Sequence, residues 1–286
     1  MARRLRRFVR RPYRPVSLRR LRRRAGKVRE RRQRLRALRR LDAGIRTFAS
    51  VHGDRLRDEL TALDAWQQVR EAALLFGEGL VMSTSFGIQS AVLLDLVART
   101  APGTPVIWID TGYLPAETYR YAKTLTERLD LDVRTYQADM SPARMEALYG
   151  RLWERENIAD MRAYNRIRKV EPMERALREV GATAWLAGVR SQQTGHRAHL
   201  QTVEVHMGVY KIHPLLRWSD RDIETYFKVY DLPRHPLERE GYATVGDVHS
   251  SRPVRDGDRS GRETRFHGLV EECGLHVQDH GKEELS

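Results

Sequence analysis

A chain of 286 residues, 41% of them apolar, is long enough to bury a core as one large or two small domains, and apolar runs such as Ala91 to Leu94 are far too short to span a bilayer. Its single cysteine, Cys273, excludes an internal disulfide framework and any cluster or zinc site built on several thiolates of one chain, and it points to a reducing compartment. The formal net charge of +14 sits at one end: residues 1–40 hold 20 Lys or Arg and one acid, Glu30, which makes +19 and leaves −5 on residues 41–286.

The Arg-rich run "LRRLRRRAGKVRERRQRLRALRR" repels itself and is expected to be disordered in isolation, so residues 1–40 are set apart as an extension. It reads either as an arm for nucleic acid or another anionic surface, or as a solvated tail or sequence upstream of the true start. One serine, Ser17, and dense charge set it apart from a transit peptide, and it lacks the apolar stretch of a secretory signal. From Leu56 to Phe76 the apolar residues Leu56, Leu60, Leu63, Trp66, Val69, Ala73 and Phe76 recur every three or four positions, which predicts one amphipathic helix. Short apolar strands are then predicted at 79–83, 104–110, 132–137 and 183–188, with helices between them through "AVLLDLVART", from near Glu117, and over 171–181. The last of these carries Pro172 in its first turn and Gly181 as its stop. No internal repeat is present. Buried strands alternating with helices predict an α/β domain on a mostly parallel sheet, whose ligands bind beyond the carboxyl ends of the strands.

Three loops follow those carboxyl ends. "STSFGIQS" (83–90) offers hydroxyls and helix N-terminal N–H groups suited to phosphate or sulfate, although Ser and Thr also cap helices, and the spacing fits neither a Walker loop nor a GxGxxG fingerprint. "DTGYLPAET" puts Asp110 beside a turn at Gly112, where it could accept from a ribose hydroxyl or an adenine amine, or simply form the turn. "GVRSQQTGHRAH" carries Arg190, Gln193, His196 and Arg197, fixed charge and donors of the kind that bind phosphate, with Lys211 able to join them. Together the loops predict a nucleotide with more than one anionic group. Cys273, in "EECGLH", reads either as an inert thiol or as a reactive one, favoured by His276 and nearby arginines and opposed by Glu271 and Glu272.

In order along the chain, "STSFGIQSAV", "DTGYLPAETYR", "YGRLWE", "KVEPMERAL", "GVRSQQTGHRA", "HPLEREGYATVGDVH" and "ETRFHGLVEECGLH" resemble the phosphoadenylyl-sulfate (PAPS) reductases of sulfate assimilation. The resemblance implies the Rossmann-like, adenine-nucleotide α-hydrolase-like fold. It divides the chain into the extension 1–40, a nucleotide-binding domain 41–240 and a mobile catalytic segment 241–286. It implies that Cys273 attacks the sulfur of PAPS, expels adenosine 3′,5′-bisphosphate and holds an S-sulfocysteine, with Tyr242 supporting catalysis. Ser83, Ser85 and Gly87 would form the phosphate-side loop, Asp110 and Gly112 the nucleotide turn, and Arg190, Gln193, Arg197 and Lys211 the remaining substrate contacts. One cysteine cannot resolve itself by an internal disulfide, so thioredoxin or glutaredoxin is expected as the external reductant.

Related adenylyl-sulfate (APS) reductases carry cysteines where this chain reads Tyr164-Asn165 and Asp247-Val248-His249-Ser250. No iron–sulfur cluster or metal is therefore expected, and the 3′-phosphorylated substrate is favoured. The sequence departs from the family pattern at Ser191, His196 and His199 and at Arg234 and Glu238, and Pro115 sits one place earlier than usual. A cytoplasmic enzyme, with a homodimer as the family expectation and no nucleic-acid or membrane role for the folded part, is the resulting picture. The alternatives are a cluster-free APS reductase, or a nucleotide- or RNA-binding protein that uses the basic arm.

Overall fold

Short runs of aliphatic and aromatic residues alternate with amphipathic helices, and in the computed structural model, which describes residues 45–155 and 157–258 with Thr264 and Leu275, those runs pair into one sheet. Its strands are β1 (Leu80–Thr84), β2 (Val106–Ile109), β3 (Val133–Tyr136), β4 (Ala184–Leu186), β5 (Val203–His206) and β6 (Val209–Ile212), in the order β3-β2-β1-β4-β6-β5. Every neighbouring pair is parallel except β5 with β6. The helices are α1 (Ile45–Thr61), α2 (Ala65–Phe76), α3 (Ser90–Thr100), α4 (Ala116–Leu129), α5 (Pro142–Tyr149), α6 (Ile158–Asn165), α7 (Glu171–Glu179) and α8 (Asp220–Val229).

The central strands are apolar on both faces, as a parallel sheet covered on both sides requires. Leu80 and Met82 of β1, Val106 of β2, Leu186 of β4 and Ile212 of β6 pack into one core with α2, α3, α4 and α8. Their alternates Val81, Ile107, Trp185 and Val209 pack on the opposite face against Met173, Ala176 and Leu177 of α7. Each buried aliphatic side chain contributes about 1.5–3 kcal/mol, so strands this short are held by burial on two faces more than by their few ladder hydrogen bonds.

All four predicted strands form, the first shifted by one residue and the other three trimmed at their ends, and three features differ from expectation. The helix predicted from Leu56 to Phe76 is two helices, because Asp64 accepts from the Gln67 N–H at 2.8 Å while the Gln67 side chain accepts from the Asp64 N–H at 3.2 Å. That capping box starts a new helix inside an unbroken apolar pattern. The β5–β6 hairpin was not foreseen, although "VEVH-MG-VYKI" alternates around a two-residue turn with both central residues, Met207 and Gly208, at positive φ. Finally, Pro172 stands in the first turn of α7 as expected, but the helix has no free start. The chain from α6 runs on through a π-turn, Arg166–Val170, with Val170 itself helical, straight into α7.

Because β1, β2 and β4 are parallel neighbours, the segments after them leave the same edge of the sheet. The chain proceeds from β1 outward to β2 and β3, then returns to β4 on the other side of β1. The crevice between β1 and β4 is therefore the topological switch point, where α/β sheets receive ligands. Among the described residues no helix is long and apolar enough to cross a membrane.

Candidate active site

A cavity of about 840 Å³ opens at that switch point. Ser83, Ser85 and Gly87 of the loop after β1 line it, with Gln89 and Ser90 at the start of α3. The hydroxyls of this loop do not cap α3: the N-cap, Gln89, makes no side-chain capping bond. Thr84 Oγ1 instead accepts from the Phe86 N–H at 3.1 Å, Ser83 Oγ accepts from the Trp185 indole N–H at 2.7 Å, and Ser90 Oγ donates to the Gly87 carbonyl at 2.7 Å. Phe86 takes the left-handed φ of +47° while fully buried against Trp108, which fixes the loop in a conformation that costs on the order of 1 kcal/mol or more. A Cβ on Gly87 would meet Ser85 Oγ at 3.3 Å and the Val245 carbonyl at 3.5 Å, so the loop lies against the 241–247 segment.

From the β4 side come Arg190, Gln193 and Arg197, all lining the cavity, with both arginines buried. Arg190 donates to Gln89 Oε1 at 2.7 Å, to Asp220 Oδ1 at 2.6 Å and to the Trp218 carbonyl at 3.1 Å. Gln193 accepts from the Arg190 backbone N–H at 3.1 Å and from the Arg197 guanidinium. Two further carboxylates on the wall are matched by one arginine: Arg234 forks across Glu224 and Glu238, which holds Glu224 below the usual carboxylate range. Tyr242 lines the cavity too, packed against Ile88, Leu237 and Val245. Beneath it, His235 is buried. Its Nδ1 accepts from the Leu237 N–H at 3.2 Å, which leaves the hydrogen on Nε2, 3.1 Å from Thr118 Oγ1.

Three expected site residues stand outside the lining. The Asp110 carboxylate is taken up by its own surroundings, accepting from the Gly112 N–H at 2.9 Å, the Tyr119 hydroxyl at 2.6 Å and the Gln137 amide at 2.7 Å. Gly112 shapes that turn at φ +75°. Lys211 is buried on β6 over the Trp185 ring, and its ammonium donates to the Leu275 carbonyl at 2.6 Å. Leu275 in turn lines the cavity and packs with the α7-side core. Cys273 and His276, like residues 1–40, lie outside the described residues.

Apart from Tyr242, sequence reasoning missed a third wall, made by Lys169 of the π-turn with Thr111 and Asp247. Arg168, fully buried, donates to the carbonyls of Thr111 and Met140, and Lys169 beside it is 2.6 Å from Asp247 Oδ2. Thr111 Oγ1 donates to Asp247 Oδ1 at 2.5 Å, and Thr111, Lys169 and Asp247 all line the cavity. Burial alone would push the Asp247 carboxyl up, but the Lys169 ammonium, the Thr111 hydroxyl and nearby His249 together hold it well below the usual range. Behind this pair His249 stacks on Trp153 at 4.0 Å between ring centroids and reaches the Tyr164 hydroxyl at 3.0 Å. Burial, with Asp247 close by, raises the Tyr164 phenol far above its ordinary value. The stretches 164–165 and 247–250, distant in sequence, thus meet at one place.

The profile of the phosphoadenosine phosphosulfate reductase domain matches residues 79–253, more than half the chain and the whole of the cavity apart from Leu275. The chain belongs to the PAPS reductase family. It is 59% identical over 213 residues to a phosphoadenosine 5′-phosphosulfate reductase of Synechococcus, covering 74% of this chain and 92% of that protein. It is 53% identical over 222 residues to the corresponding protein of Synechocystis, covering 78% and 89%. A crystal structure of the PAPS reductase of Candida auris in a phosphate complex aligns with TM-score 0.61 and 29% identity over 70% of this chain and 96% of that one. The family resemblance and the nucleotide-binding α/β fold expected from the sequence are therefore both present in this PAPS reductase family member.

Proposed function

We propose that the cavity binds 3′-phosphoadenylyl sulfate and that the chain reduces it to sulfite, as an oxidoreductase acting on a sulfur group. The Cys273 thiolate forms a bond to the sulfonyl sulfur as the bond from that sulfur to the phosphate oxygen breaks, and adenosine 3′,5′-bisphosphate leaves with the electron pair. A thiolate of thioredoxin or glutaredoxin then attacks the sulfur of Cys273. Sulfite departs with the bonding pair, and the donor's second thiol closes the donor disulfide and returns Cys273 as a thiol. Two electrons pass from the external dithiol.

One observation carries this reading: Leu275, two residues after Cys273 in the sequence, lines the same cavity as Ser83, Arg190, Arg197 and Tyr242. In it, the N-terminus of α3 and the loop from Ser83 to Gly87 receive one anionic group, and the arginines on the β4 side another. Asp110 and Gly112 act by holding the turn that presents Thr111, and Lys211 acts by holding the Leu275 carbonyl. Tyr164, Asn165, Asp247 and Ser250 provide no thiolate where a cluster would need four, so the reading includes no bound iron–sulfur group. A cytoplasmic setting and a homodimer belong to the same proposal. The test is sulfite formation with thioredoxin from substrate with and without the 3′-phosphate. The expected result is a higher kcat/KM with the 3′-phosphate and no turnover by Cys273→Ser; turnover by that variant would overturn the reading.

A further inference from the structure

Asp247 is fully buried, and the structure ties it from every side. Its carbonyl accepts from the Ser250 N–H at 3.0 Å, and the next N–H, that of Val248, donates to the Tyr113 carbonyl at 2.8 Å. One carboxylate oxygen accepts from Thr111 Oγ1, and the other faces the Lys169 ammonium at 2.6 Å. The carboxylate is thus a fixed object, whereas a lysine ammonium on its four-carbon stem is by nature mobile. Arg168, the neighbour of Lys169 on the π-turn, is anchored to the same Thr111 through its carbonyl, so three segments converge on this pair. A buried ion pair adds little net stability, because desolvation offsets the attraction. Its place in the cavity wall indicates another use.

We infer that Asp247 is a positioning residue: it pins the Lys169 ammonium at the cavity wall, where that charge is set in advance to meet an anionic group of the bound nucleotide. This rests on the PAPS reading of the same cavity. Holding a flexible cation in its bound geometry removes the cost of ordering it when the ligand arrives. The arrangement has a second consequence. Without Lys169, Asp247 would present an uncompensated carboxylate to an anionic ligand and repel it. Asp247 therefore helps binding only through Lys169 and opposes it when Lys169 is gone.

The test is a cycle of Asp247→Asn, Lys169→Met and the double variant in the full chain, each checked for a native thermal transition. Two quantities are read: kcat/KM for sulfite formation from PAPS with thioredoxin, and Kd for adenosine 3′,5′-bisphosphate. Asp247→Asn is expected to lower kcat/KM roughly tenfold or more in the wild-type background and to leave it unchanged or raise it in the Lys169→Met background. A loss by the same factor in both backgrounds, which a purely structural tie would give, overturns the inference, as does no loss in the wild type. Should Asp247→Asn fail to fold, Thr111→Val removes the hydroxyl that orients the carboxylate while keeping both charges. It is expected to weaken turnover only when Lys169 is present, and equal effects in the two backgrounds would count against Asp247. If the wild type binds the bisphosphate but makes no sulfite, the assigned reaction fails while the cycle in Kd still judges Asp247.

Discussion

Gly112 sits at φ +75°, and a Cβ there would stand 2.7 Å from Pro142 Cγ and 3.2 Å from Arg168 Nη2. Both the conformation and the contact exclude a side chain, because Arg168 is locked onto two carbonyls and cannot retreat. Gly112→Ala is expected to lower unfolding stability by about 1–3 kcal/mol, read as a shift of the urea midpoint; an unchanged midpoint would show that the turn relaxes freely. At this scale the sequence was legible where chemistry and position coincide. Ser83, Arg190, Arg197 and Tyr242 follow strand ends or a recognisable motif, and all line the cavity. Asp110 has the right chemistry in the right place, but Tyr119 and Gln137, which take up its oxygens, are 9 and 27 residues away and announce nothing in the local pattern. Lys169 and Asp247 escaped notice for a related reason. A lysine in a helical stretch and an aspartate after a glycine look like surface residues, and only the tertiary fold buries them against each other.

Among elements, the strands were readable because burial on both faces writes a continuous apolar run, and the boundary between α1 and α2 was not, because the apolar period passes through it without a break. The local signal was the spacing of Asp64 and Gln67. Asp64→Ala is expected to cost about 0.5–2 kcal/mol in a thermal or urea unfolding measurement, whereas a single continuous helix would gain from alanine at that position. The π-turn at Arg166–Val170 is the least legible element. Nothing in "NRIRKVEP" distinguishes it from ordinary helix, yet this turn carries Lys169 on the wall of the cavity and the buried Arg168 beside it.

For the whole molecule, two buried histidines set the response to acid. Burial pushes His235 down to about 4, opposed by Glu117, and burial with Lys211, Arg197 and His206 nearby pushes His213 down to about 3. Both are neutral in the fold, while in the unfolded chain they take protons near the ordinary pKa of about 6.5. The unfolded state therefore binds more protons below that value. Stability is complete above about pH 6.5 and is lost as pH falls toward 4 for His235 and 3 for His213, by about 1.4 kcal/mol per histidine at pH 5.5. The Asp247 carboxyl is also held below its ordinary value, and as a carboxylate it loses its contribution only as pH falls below the ordinary carboxylate range, so it does not blur this window. Urea midpoints at pH 7.5 and 5.5 should differ accordingly, and His235→Gln should flatten the slope; equal midpoints for the wild type would contradict the assignment. The fold class and the family were carried by motifs spread from Ser83 to His276. The central claim is chemical: the solitary thiol takes the sulfonyl group from a nucleotide held at the switch point of the sheet. It is tested most directly by the intact mass of the protein after incubation with PAPS in the absence of any reductant. The account predicts a sulfonate adduct on Cys273 that thioredoxin removes as sulfite and that Cys273→Ser never acquires; wild-type protein that releases sulfite while never carrying the adduct would contradict it.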